Sequence, residues 1–235
     1  MAFQESHQPK IPVHVGIILD GNRRWAKAHG LSTLAGHRRG YDNVKKIAAA
    51  AFKQGVKILT VYAFSTENWR REKAEVDYLL GLFRMFVGIE IKDLTEQGVR
   101  INFFGRRADF AKSLQSGMRR VEAETRDNQA GTLNICLSYG GRDEIVRSIK
   151  KVIRAGKRNG QISEELISAN LDSAGQPDPD LIIRTSGEER LSGFLTWQSV
   201  YSELYFTRKH WPDFNSRDLD KALKEYSRRK RRYGK

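Results

Sequence analysis

Short apolar runs alternate with longer amphipathic segments along most of the chain. The apolar runs are rich in Val, Ile, Leu and aromatic residues and are short enough for strands buried in a parallel sheet, at 13–19, 57–64, 100–104, 133–138 and 181–184. The segments between them have the apolar spacing of helices, at 37–54, 75–97, 108–126 and 142–158, and a last helix is predicted from the N-cap Ser216 to about Arg231. This alternation predicts an α/β fold, a mostly parallel sheet flanked by helices, in a single domain at 13–235 after an N-terminal tail at 1–12.

The predicted helix at 75–97 carries more apolar residues than one buried face requires. Two stripes run side by side along it, one made of Val76, Leu79, Leu80, Phe83 and Val87 and the other of Leu82, Phe86 and Ile89. A helix that is buried on two sides would show this pattern. A helix with one stripe lining an apolar cavity, for a long hydrophobic ligand, would show it as well, and both interpretations stay open at this stage.

The charge balance of the chain points to an anionic partner. Its 235 residues include 42 Lys and Arg against 28 Asp and Glu, which gives a formal net charge of +14. A phosphorylated small molecule, an anionic membrane surface and nucleic acid would all suit such an excess. The basic residues are spread along the chain without an evident aromatic stacking platform, so we expect no nucleic-acid partner.

Several broad classes are excluded or disfavoured by what the sequence lacks. Cys136 is the single cysteine, which rules out an internal disulfide framework and a cysteine-clustered zinc site. No run approaches the roughly 18 apolar residues that span a bilayer, and residues 1–10 lack the apolar core of a signal peptide, so we expect a cytoplasmic location. Phosphate-loop, dinucleotide, zinc-protease and nucleophile-elbow motifs are also absent, which disfavours the common nucleotide, hydride and hydrolase chemistries.

Charged residues follow the first predicted strand directly. Open α/β sheets bind ligands beyond the carboxyl ends of their strands, and Asp20, Gly21, Asn22 and Arg24 occupy that position. A carboxylate is a hard oxygen ligand for Mg²⁺, while backbone N–H groups at a helix start and an arginine suit phosphate oxygens. A helix cap with a solvated ion pair would use similar residues, so this segment alone does not decide between the two.

Three further segments follow predicted strands or lie near their ends. The loop FSTENWRR at 64–71 suits closure over a substrate that is charged at one end and apolar at the other, although an ordinary loop would have the same composition. The segment YGGR at 139–142 allows close backbone approach, and Arg184, Arg190 and Ser192 could form a second anion site. Glu203 lies in an apolar stretch, which is unusual unless it binds a metal ion or another cation.

These motifs, in this order and at this spacing, resemble those of the cis-prenyltransferase family over residues 12–234. The matching segments are HVGIILDGNRRW at 14–25, AFSTENW at 63–69, SYGGR at 138–142, IRTSGE at 183–188 and ELYF at 203–206. The resemblance implies a six-stranded, mostly parallel sheet, an apolar product tunnel and a homodimer. It also implies Mg²⁺-dependent, successive addition of isopentenyl diphosphate to an allylic diphosphate such as farnesyl diphosphate, with each new double bond cis.

The same resemblance implies a role for individual residues. Asp20 and Asn68 would be catalytic, and Asp20 would bind Mg²⁺ together with Glu203, which reaches the metal from the partner subunit or from nearby. The allylic diphosphate and the mobile loop would involve Gly21, Asn22, Arg24, Trp25, His37, Ser65, Glu67, Trp69 and Arg71. Isopentenyl diphosphate would be bound by Arg184, Arg190 and Ser192, and the terminal Arg232-Tyr233-Gly234 would complete the neighbouring subunit's site.

Two questions stay open in the resemblance. Thr33, Glu72 and Gly193 depart from the usual pattern, and the phosphate ligand that Thr33 cannot provide could be supplied by Arg38 or Arg39. The expected product is a long chain, undecaprenyl diphosphate for the cell-wall lipid carrier, because the small Ala63 and Gly81 leave room near the tunnel mouth. A medium- or short-chain product is the alternative, and the basic surface leads us to expect contact with the inner face of a membrane.

Overall fold

Six strands form one sheet at the centre of the protein, in the order β3-β4-β2-β1-β5-β6. The computed structural model describes residues 10–90 and 92–230. The strands are β1 (His14–Ile18), β2 (Ile58–Ser65), β3 (Val99–Phe104), β4 (Gly131–Tyr139), β5 (Leu181–Arg184) and β6 (Glu203–Phe206). Every strand pairing is parallel, so the carboxyl ends of all six strands lie along one edge of the sheet. The expected α/β fold with a six-stranded sheet is confirmed.

Helices connect the strands as the alternating pattern predicts. The α-helices are α1 (Asn22–Ala28), α2 (Thr33–Lys53), α3 (Lys73–Met85), α4 (Lys92–Glu96), α5 (Lys112–Glu124), α6 (Gly141–Arg154), α7 (Glu164–Ser168) and α8 (Ser216–Arg228). Short 3₁₀-helices lie at Thr66–Arg70, Arg107–Asp109, Asn159–Gln161 and Trp211–Asp213. No helix in this described part of the chain is long and apolar enough to span a membrane.

Two helix predictions need correction. The segment predicted as one helix at 75–97 is divided into α3, a π-helix at Phe86–Glu90 and α4. Gly81 and Gly88 weaken the helical preference of this segment, which is one physical reason for the irregular turn. The N-cap of α8 is Asn215 rather than Ser216, because the Asn215 side chain accepts the backbone N–H of Arg217 at 3.0 Å.

Apolar residues of the central strands point alternately to the two faces of the sheet. Val15 and Ile17 belong to the large core beneath α2, α3, α5 and α8, whereas Ile18 belongs to a smaller cluster on the opposite face. Gly16 faces the ring of Phe194 so closely that an added β-carbon would lie 2.9 Å from it. Because both faces are covered, the central strands are continuous apolar runs, and polar groups concentrate at their ends.

The position of β1 between β2 and β5 decides where a ligand can bind. The chain leaves β1 toward β2 on one side and later returns to pair β5 on the other side. A crevice forms beyond the carboxyl ends of strands at such a reversal of strand order. The segments that follow β1, β2 and β5 are the ones that carry the predicted site residues. The domain boundary predicted at residue 12 stays a prediction, since residues 1–9 lie outside the described residues.

Candidate active site

A cavity of about 450 Å³ opens at the carboxyl ends of β1, β2 and β5. We call it the charged cavity, and it is lined by Ile18, Leu19, Asp20, Gly21, Asn22, Arg23, Arg24, His37, Tyr62, Ala63, Ser65, Asn68, Arg71, Leu79 and Arg184. The structure therefore brings together residues from the ends of three strands, from α1, α2 and α3 and from the 3₁₀-helix after β2, and most of them are site residues predicted from the sequence.

Asp20 follows the carboxyl end of β1, where backbone hydrogen bonds and ion pairs with two arginines fix its position. Its amide N–H donates to Thr185 Oγ1 at 3.0 Å, and the Thr185 hydroxyl lies 2.7 Å from the Asp20 carbonyl oxygen. One carboxylate oxygen lies 3.1 Å from Arg24 Nη2 and the other 3.0 Å from Arg184 Nη2. Gly21 follows with φ 108°, where a β-carbon would meet Ser186 Oγ at 2.6 Å, so only glycine suits this turn.

Arg184 links the Asp20 carboxylate to the loop after β5. It is 5% exposed, and besides its ion pair with Asp20 it donates to Ser192 Oγ at 2.8 Å and to the carbonyl oxygen of Arg190. Arg190 itself is a surface side chain that pairs with Glu188 at 2.5 Å, and Glu188 also pairs with Arg24 at 2.9 Å. The three residues predicted for isopentenyl diphosphate thus lie at the end of β5 and on the loop that follows it, with Arg184 buried and Arg190 exposed.

The start of α1 packs unusually close to α2. A β-carbon at Gly36 would lie 2.2 Å from the Asn22 carbonyl oxygen, and one at Gly40 would lie 2.2 Å from Asn22 Oδ1. The two glycines of α2 are therefore required for the approach of the two helices. Asn22 Oδ1 and Arg184 Nε are buried without a hydrogen-bond partner among the described residues. Polar atoms buried in this way at a cavity wall are typical of a ligand site.

His37 and Arg71 share one carboxylate, that of Glu75. Glu75 Oε1 lies 2.9 Å from His37 Nε2 and 2.9 Å from Arg71 Nη1. Glu75 is 7% exposed, yet the hydrogen bond from His37 and the charge of Arg71 outweigh burial and hold its pKa below the ordinary value. Burial lowers the pKa of His37, so its ring is neutral and its Nε2–H donates to Glu75.

The loop after β2 contributes some of its predicted residues to the charged cavity and others elsewhere. Asn68 lines the cavity while its Oδ1 accepts the Ser65 backbone N–H at 2.9 Å. Trp69 instead packs against Phe64, with ring centroids 5.1 Å apart, and in the described part of the chain it lies outside the cavity lining. Trp25 also lies outside that lining, with its ring stacked on His29.

A second cavity of about 710 Å³ lies on the other side of this loop. We call it the glycine-lined cavity, because Gly140, Gly141 and Gly193 contribute to its wall, together with Glu67 and Ser192. Tyr62 and Ser65 line both the charged cavity and the glycine-lined cavity. Gly193 has φ 78°, a left-handed conformation that glycine and asparagine both tolerate, so either residue suits the backbone at this position.

A third, apolar cavity lies between the sheet and α2 and α3. Its lining consists of Tyr41, Val44, Val61, Ala63, Phe83, Phe86, Val87, Phe103, Ile135 and Leu137. Phe83 and Val87 belong to one of the predicted stripes and Phe86 to the other, so both stripes contribute. Ala63 also lines the charged cavity, which places the two cavities next to each other. The apolar cavity measures about 40 Å³, so an open product tunnel stays a prediction.

Glu203 does not lie at the charged cavity of its own chain, so a metal site shared with Asp20 within one chain is not supported, whereas a contribution of Glu203 from a partner subunit stays a prediction. It is the first residue of β6 and pairs in register with Leu181, at the amino end of β5. Asp20 lies beyond the opposite end, about 17 Å away along the strands at ~3.3 Å per residue. Glu203 is instead paired with Arg229 at 2.8 Å. The parallel register of β6 is the physical reason, and the predicted Arg232 to Gly234 contact lies outside the described residues.

The chain matches known proteins over most of its length. Residues 18–234 match a family described as "Putative undecaprenyl diphosphate synthase". An "Isoprenyl transferase" of Brucella abortus is 48% identical over 227 residues, which span 95% of this chain and 89% of the relative. The chain belongs to the undecaprenyl diphosphate synthase family. The resemblance to cis-prenyltransferases is thereby confirmed.

Other members of the family show the same agreement. A Legionella pneumophila protein named "Ditrans,polycis-undecaprenyl-diphosphate synthase ((2E,6E)-farnesyl-diphosphate specific)" is 44% identical over 96% of each chain. Lavandulyl diphosphate synthase from Lavandula x intermedia, solved in complex with dimethylallyl diphosphate, has a TM-score of 0.91 and 36% identity, over 96% of this chain and 99% of that one. A probable undecaprenyl diphosphate synthase from Campylobacter jejuni has a TM-score of 0.80 and 29% identity, over 96% and 100%.

Membership in this synthase family raises the question of whether the site fits Mg²⁺. Asp20 offers two carboxylate oxygens to the charged cavity, balanced by Arg24 and Arg184. Within residues 10–90 and 92–230, no group of three or more His, Cys, Asp or Glu side chains is arranged to hold a metal ion. Mg²⁺ is commonly bound by one or two carboxylates together with substrate phosphates and water. The residues therefore fit a Mg²⁺ ion whose remaining ligands come from a diphosphate.

Several residues at the site were missed by sequence reasoning. Thr185 bonds to the Asp20 backbone, Glu75 joins His37 to Arg71, and Arg23 lines the charged cavity. An acidic residue in the first turn of a helix and a threonine after a strand are ordinary features, so nothing marked them. The suggested substitutes for a phosphate ligand at Thr33 are not supported, because Arg38 pairs with Asp42 and neither it nor the exposed Arg39 belongs to the described lining of that cavity.

Proposed function

We propose that the protein is a cis-prenyltransferase that adds isopentenyl diphosphate to an allylic diphosphate. The observation that carries the proposal is a charged cavity next to an apolar one, with Ala63 in the wall of both. A substrate with a diphosphate head and a hydrocarbon tail needs this combination. The names of the related isoprenyl transferases and prenyl diphosphate synthases support the same activity.

The residues of the charged cavity, together with Ser192 of the glycine-lined cavity and the surface residue Arg190, suit the binding of two diphosphates. Backbone N–H groups at the start of α1, with Arg24, would hold the allylic diphosphate. Arg184 and Ser192, with Arg190 swinging in from the surface, would hold isopentenyl diphosphate. The ion pairs that these arginines make with Asp20 and Glu188 would be exchanged for phosphate oxygens when the substrates bind.

The reaction breaks the allylic C–O bond and forms a carbon–carbon bond. The electron pair of the C–O bond leaves with the allylic diphosphate, the isopentenyl double bond attacks the allylic carbon, and a proton is lost from the isopentenyl unit. Mg²⁺ held at Asp20 would neutralise the negative charge that develops on the leaving diphosphate. Arg24 would contribute to the same stabilisation, because its guanidinium lies 3.1 Å from Asp20.

The expected starter is farnesyl diphosphate and the expected product undecaprenyl diphosphate, destined for cell-wall lipid carrier synthesis. The specificity stated in the name of the Legionella relative supports this choice. A short-chain product is the second candidate, since the lavandulyl diphosphate synthase has the same fold and the apolar cavity is narrow. A long product requires Phe83 and Phe86 to move apart as the chain extends.

The direct test incubates the purified full chain with farnesyl diphosphate, isopentenyl diphosphate and Mg²⁺ and measures product length. We expect long polyprenyl diphosphates, and Asp20→Ala should lower turnover by roughly 10³-fold, since metal stabilisation of the leaving group contributes several kcal/mol. Near-normal turnover of Asp20→Ala would show that Asp20 is not the metal ligand. Absence of any prenyl transfer by the unaltered protein would refute the proposed function.

A matched pair of variants tests the apolar cavity as the product tunnel. Ala63→Leu places a larger side chain in the shared wall and should shift products to shorter chains. Gly81→Leu is the control, because Gly81 lies outside the described lining of both cavities and an added β-carbon would meet nothing within 4 Å. The same pair tests the sequence-based expectation that Gly81 lies at the tunnel mouth, which predicts shorter products for Gly81→Leu as well. Equal product lengths for Ala63→Leu and the unaltered protein would argue against this cavity as the tunnel.

A homodimer would explain the distant position of Glu203, because a partner's Glu203 could complete the metal site. An exposed apolar stripe on α6, made of Val146, Ile149 and Ile153, supports association. Mixing Asp20→Ala chains with Glu203→Ala chains should restore roughly a quarter of the activity, since half of the dimers are mixed and each has one intact site. No recovery would show that Glu203 acts within its own chain or not at all.

The long apolar product also supports a location in the cytoplasm with contact at the inner face of the membrane. Each CH₂ group transferred into water costs about 0.8 kcal/mol, so release into water is slow. We expect turnover to rise when detergent or anionic vesicles are added. Equal turnover with and without vesicles would argue against membrane-assisted release.

A further inference from the structure

The loop that separates the charged cavity from the glycine-lined cavity is held in place by the side chain of Trp69. Trp69 lies in the 3₁₀-helix Thr66–Arg70, and its indole packs between the rings of Phe64 and Phe110, with centroid distances of 5.1 and 5.6 Å. Its Nε1–H donates to Ser138 Oγ at 2.8 Å. The side chain that was predicted to touch substrate therefore holds the loop to the end of β4.

Ser138 also forms a hydrogen bond with a third residue, Asp109. Its hydroxyl donates to Asp109 Oδ2 at 2.5 Å, which leaves the oxygen lone pairs of Ser138 free to accept the Trp69 indole. Asp109 lies at the surface in the short 3₁₀-helix Arg107–Asp109 after β3. The chain Trp69–Ser138–Asp109 thus joins the loop after β2 to the ends of β4 and β3.

The backbone of Ser138 is strained at the same place. Its φ of 46° lies in the left-handed region, which glycine and asparagine adopt more readily than serine. The turn after β3 packs tightly on it, since Arg106 donates its backbone N–H to the Ser138 carbonyl oxygen at 3.1 Å. Strained residues of this kind concentrate at functional sites, and here the strained residue carries the hydroxyl that holds Trp69.

We propose that Ser138 and Asp109 are positioning residues that fix the loop between the two cavities by anchoring Trp69. The loop presents Asn68 and Arg71 to the charged cavity and Glu67 to the glycine-lined cavity. Its order therefore affects both substrates at once. The kinetic part of this inference rests on the proposed prenyl transfer, whereas the anchor itself does not.

Limited proteolysis tests whether Trp69 holds the loop in place, and it needs no activity assay. Trypsin cleaves after Arg70 and Arg71, and mass spectrometry of the full chain identifies those two bonds. Ser138→Ala should be cleaved there roughly 3- to 10-fold faster, as expected for the loss of one hydrogen bond that holds a loop closed. Ser148→Ala is the matched control, because Ser148 is a buried serine that donates to the Ile167 carbonyl oxygen at 2.8 Å on α6.

Two further variants separate positioning from stability. Ser138→Gly relieves the strained φ, so its thermal midpoint should equal or exceed that of the unaltered protein, while cleavage is faster and kcat/KM falls for both substrates. Ser138→Asn tolerates the left-handed conformation and offers an acceptor for Trp69 and a donor for Asp109, so it should restore slow cleavage and kcat/KM.

Two outcomes would overturn the inference. One is cleavage of Ser138→Ala and Ser138→Gly at the rate of the unaltered protein. The other is equally fast cleavage of Ser148→Ala, which would show a general loss of stability. If the unaltered protein transfers no prenyl group, the proposed function fails, and the cleavage rates still decide the anchor.

Discussion

Buried polar groups make different interactions at the two ends of the sheet. At the carboxyl end, Asp20 and Arg184 form ion pairs that open onto a cavity, and Asn22 Oδ1 and Arg184 Nε have no partner among the described residues. In the amino-terminal half, neutral groups satisfy one another. His14 Nε2 and Asn134 Nδ2 lie 2.7 and 2.9 Å from Thr60 Oγ1, respectively.

The neutral network extends across several strands. Asn134 also bonds to Gln176 at 2.6 Å and to Asn102 at 2.8 Å, and His14 Nδ1 lies 2.7 Å from the Pro177 carbonyl oxygen. These hydrogen bonds join protein groups to one another, and the proposed reaction brings no substrate that would replace them. In the proposed function, the ion pairs at the other end would be exchanged for diphosphate oxygens. The comparison teaches that incomplete polar satisfaction coincides with the end of the sheet where the proposed site lies.

Among the variants that compare the two ends of the sheet, the largest effect should come from Arg184, the buried arginine of the charged end. Arg184→Ala removes charge-assisted bonds and should raise the KM for isopentenyl diphosphate roughly 10- to 100-fold, with a smaller change for farnesyl diphosphate. Arg190→Ala should have a weaker effect, because that side chain is 62% exposed and pairs with Glu188. Steady-state kinetics with each substrate varied in turn would show this, and a KM increase confined to farnesyl diphosphate would reverse the assignment of the two diphosphates.

The neutral polar network near the amino end of the sheet should make the free energy of unfolding depend on pH, with no effect on substrate binding. Burial lowers the pKa of His14 from 6.5 to about 4. The unfolded chain then binds a proton that the folded chain refuses, so the contribution of His14 is complete above its ordinary pKa and is lost as the pH falls toward 4. We expect the free energy of unfolding to fall by about 2 kcal/mol between pH 7 and pH 5.

Urea unfolding at the two pH values measures that loss. His14→Asn should show a lower free energy of unfolding at pH 7 but a much flatter pH dependence. His29→Asn is the matched control, since His29 is an exposed histidine that contacts the Trp25 carbonyl oxygen, and its pH dependence should match that of the unaltered protein. An unchanged slope in His14→Asn would assign the acid sensitivity to other groups.

The smallest effect concerns His37, a neutral group at the charged end. Its Nε2–H is committed to Glu75, so Nδ1 can donate to a phosphate oxygen only after the ring binds a proton. Binding of pyrophosphate at a pH above the lowered pKa of His37 should therefore take up a fraction of a proton, and the affinity relative to that of His37→Gln should weaken as the pH rises. Calorimetry in buffers of different ionisation enthalpy detects the uptake, with His37→Gln as the reference that should lack it.

Sequence reasoning located the central strands because buried parallel strands are continuous apolar runs. The edge strand Glu203–Phe206 has only half-buried residues, so its pattern was not distinctive, and its strand was expected from the family alone. The break after α3 depends on a π-helical turn, which leaves no periodic signal. These misses follow from local packing and backbone geometry that spacing does not encode.

The chemistry of the site was predictable, but its assembly was not. Asp20 and Arg184 are 164 residues apart in sequence and meet because β1 pairs with β5. Glu203 has the same residue type as a metal ligand, yet the register of β6 takes it to the opposite end. Trp69 was expected to contact substrate; the structure shows its indole N–H bonded to Ser138, and the substrate contact stays a prediction. Residue type indicated the reaction, while strand order decided which residues share a cavity.

Tyr62 and Ser65 stand in the wall that the charged and glycine-lined cavities share. In the proposed reaction the departing diphosphate is the allylic one, so every lengthened product keeps the diphosphate that arrived with its newest isopentenyl unit. By this proposal that diphosphate would lie beside Arg184 and Ser192 and would have to move to the start of α1 before the next unit could add. Tyr62 and Ser65 would then border its path, so their size and polarity would govern processivity, the proportion of chains that translocate rather than dissociate after each step.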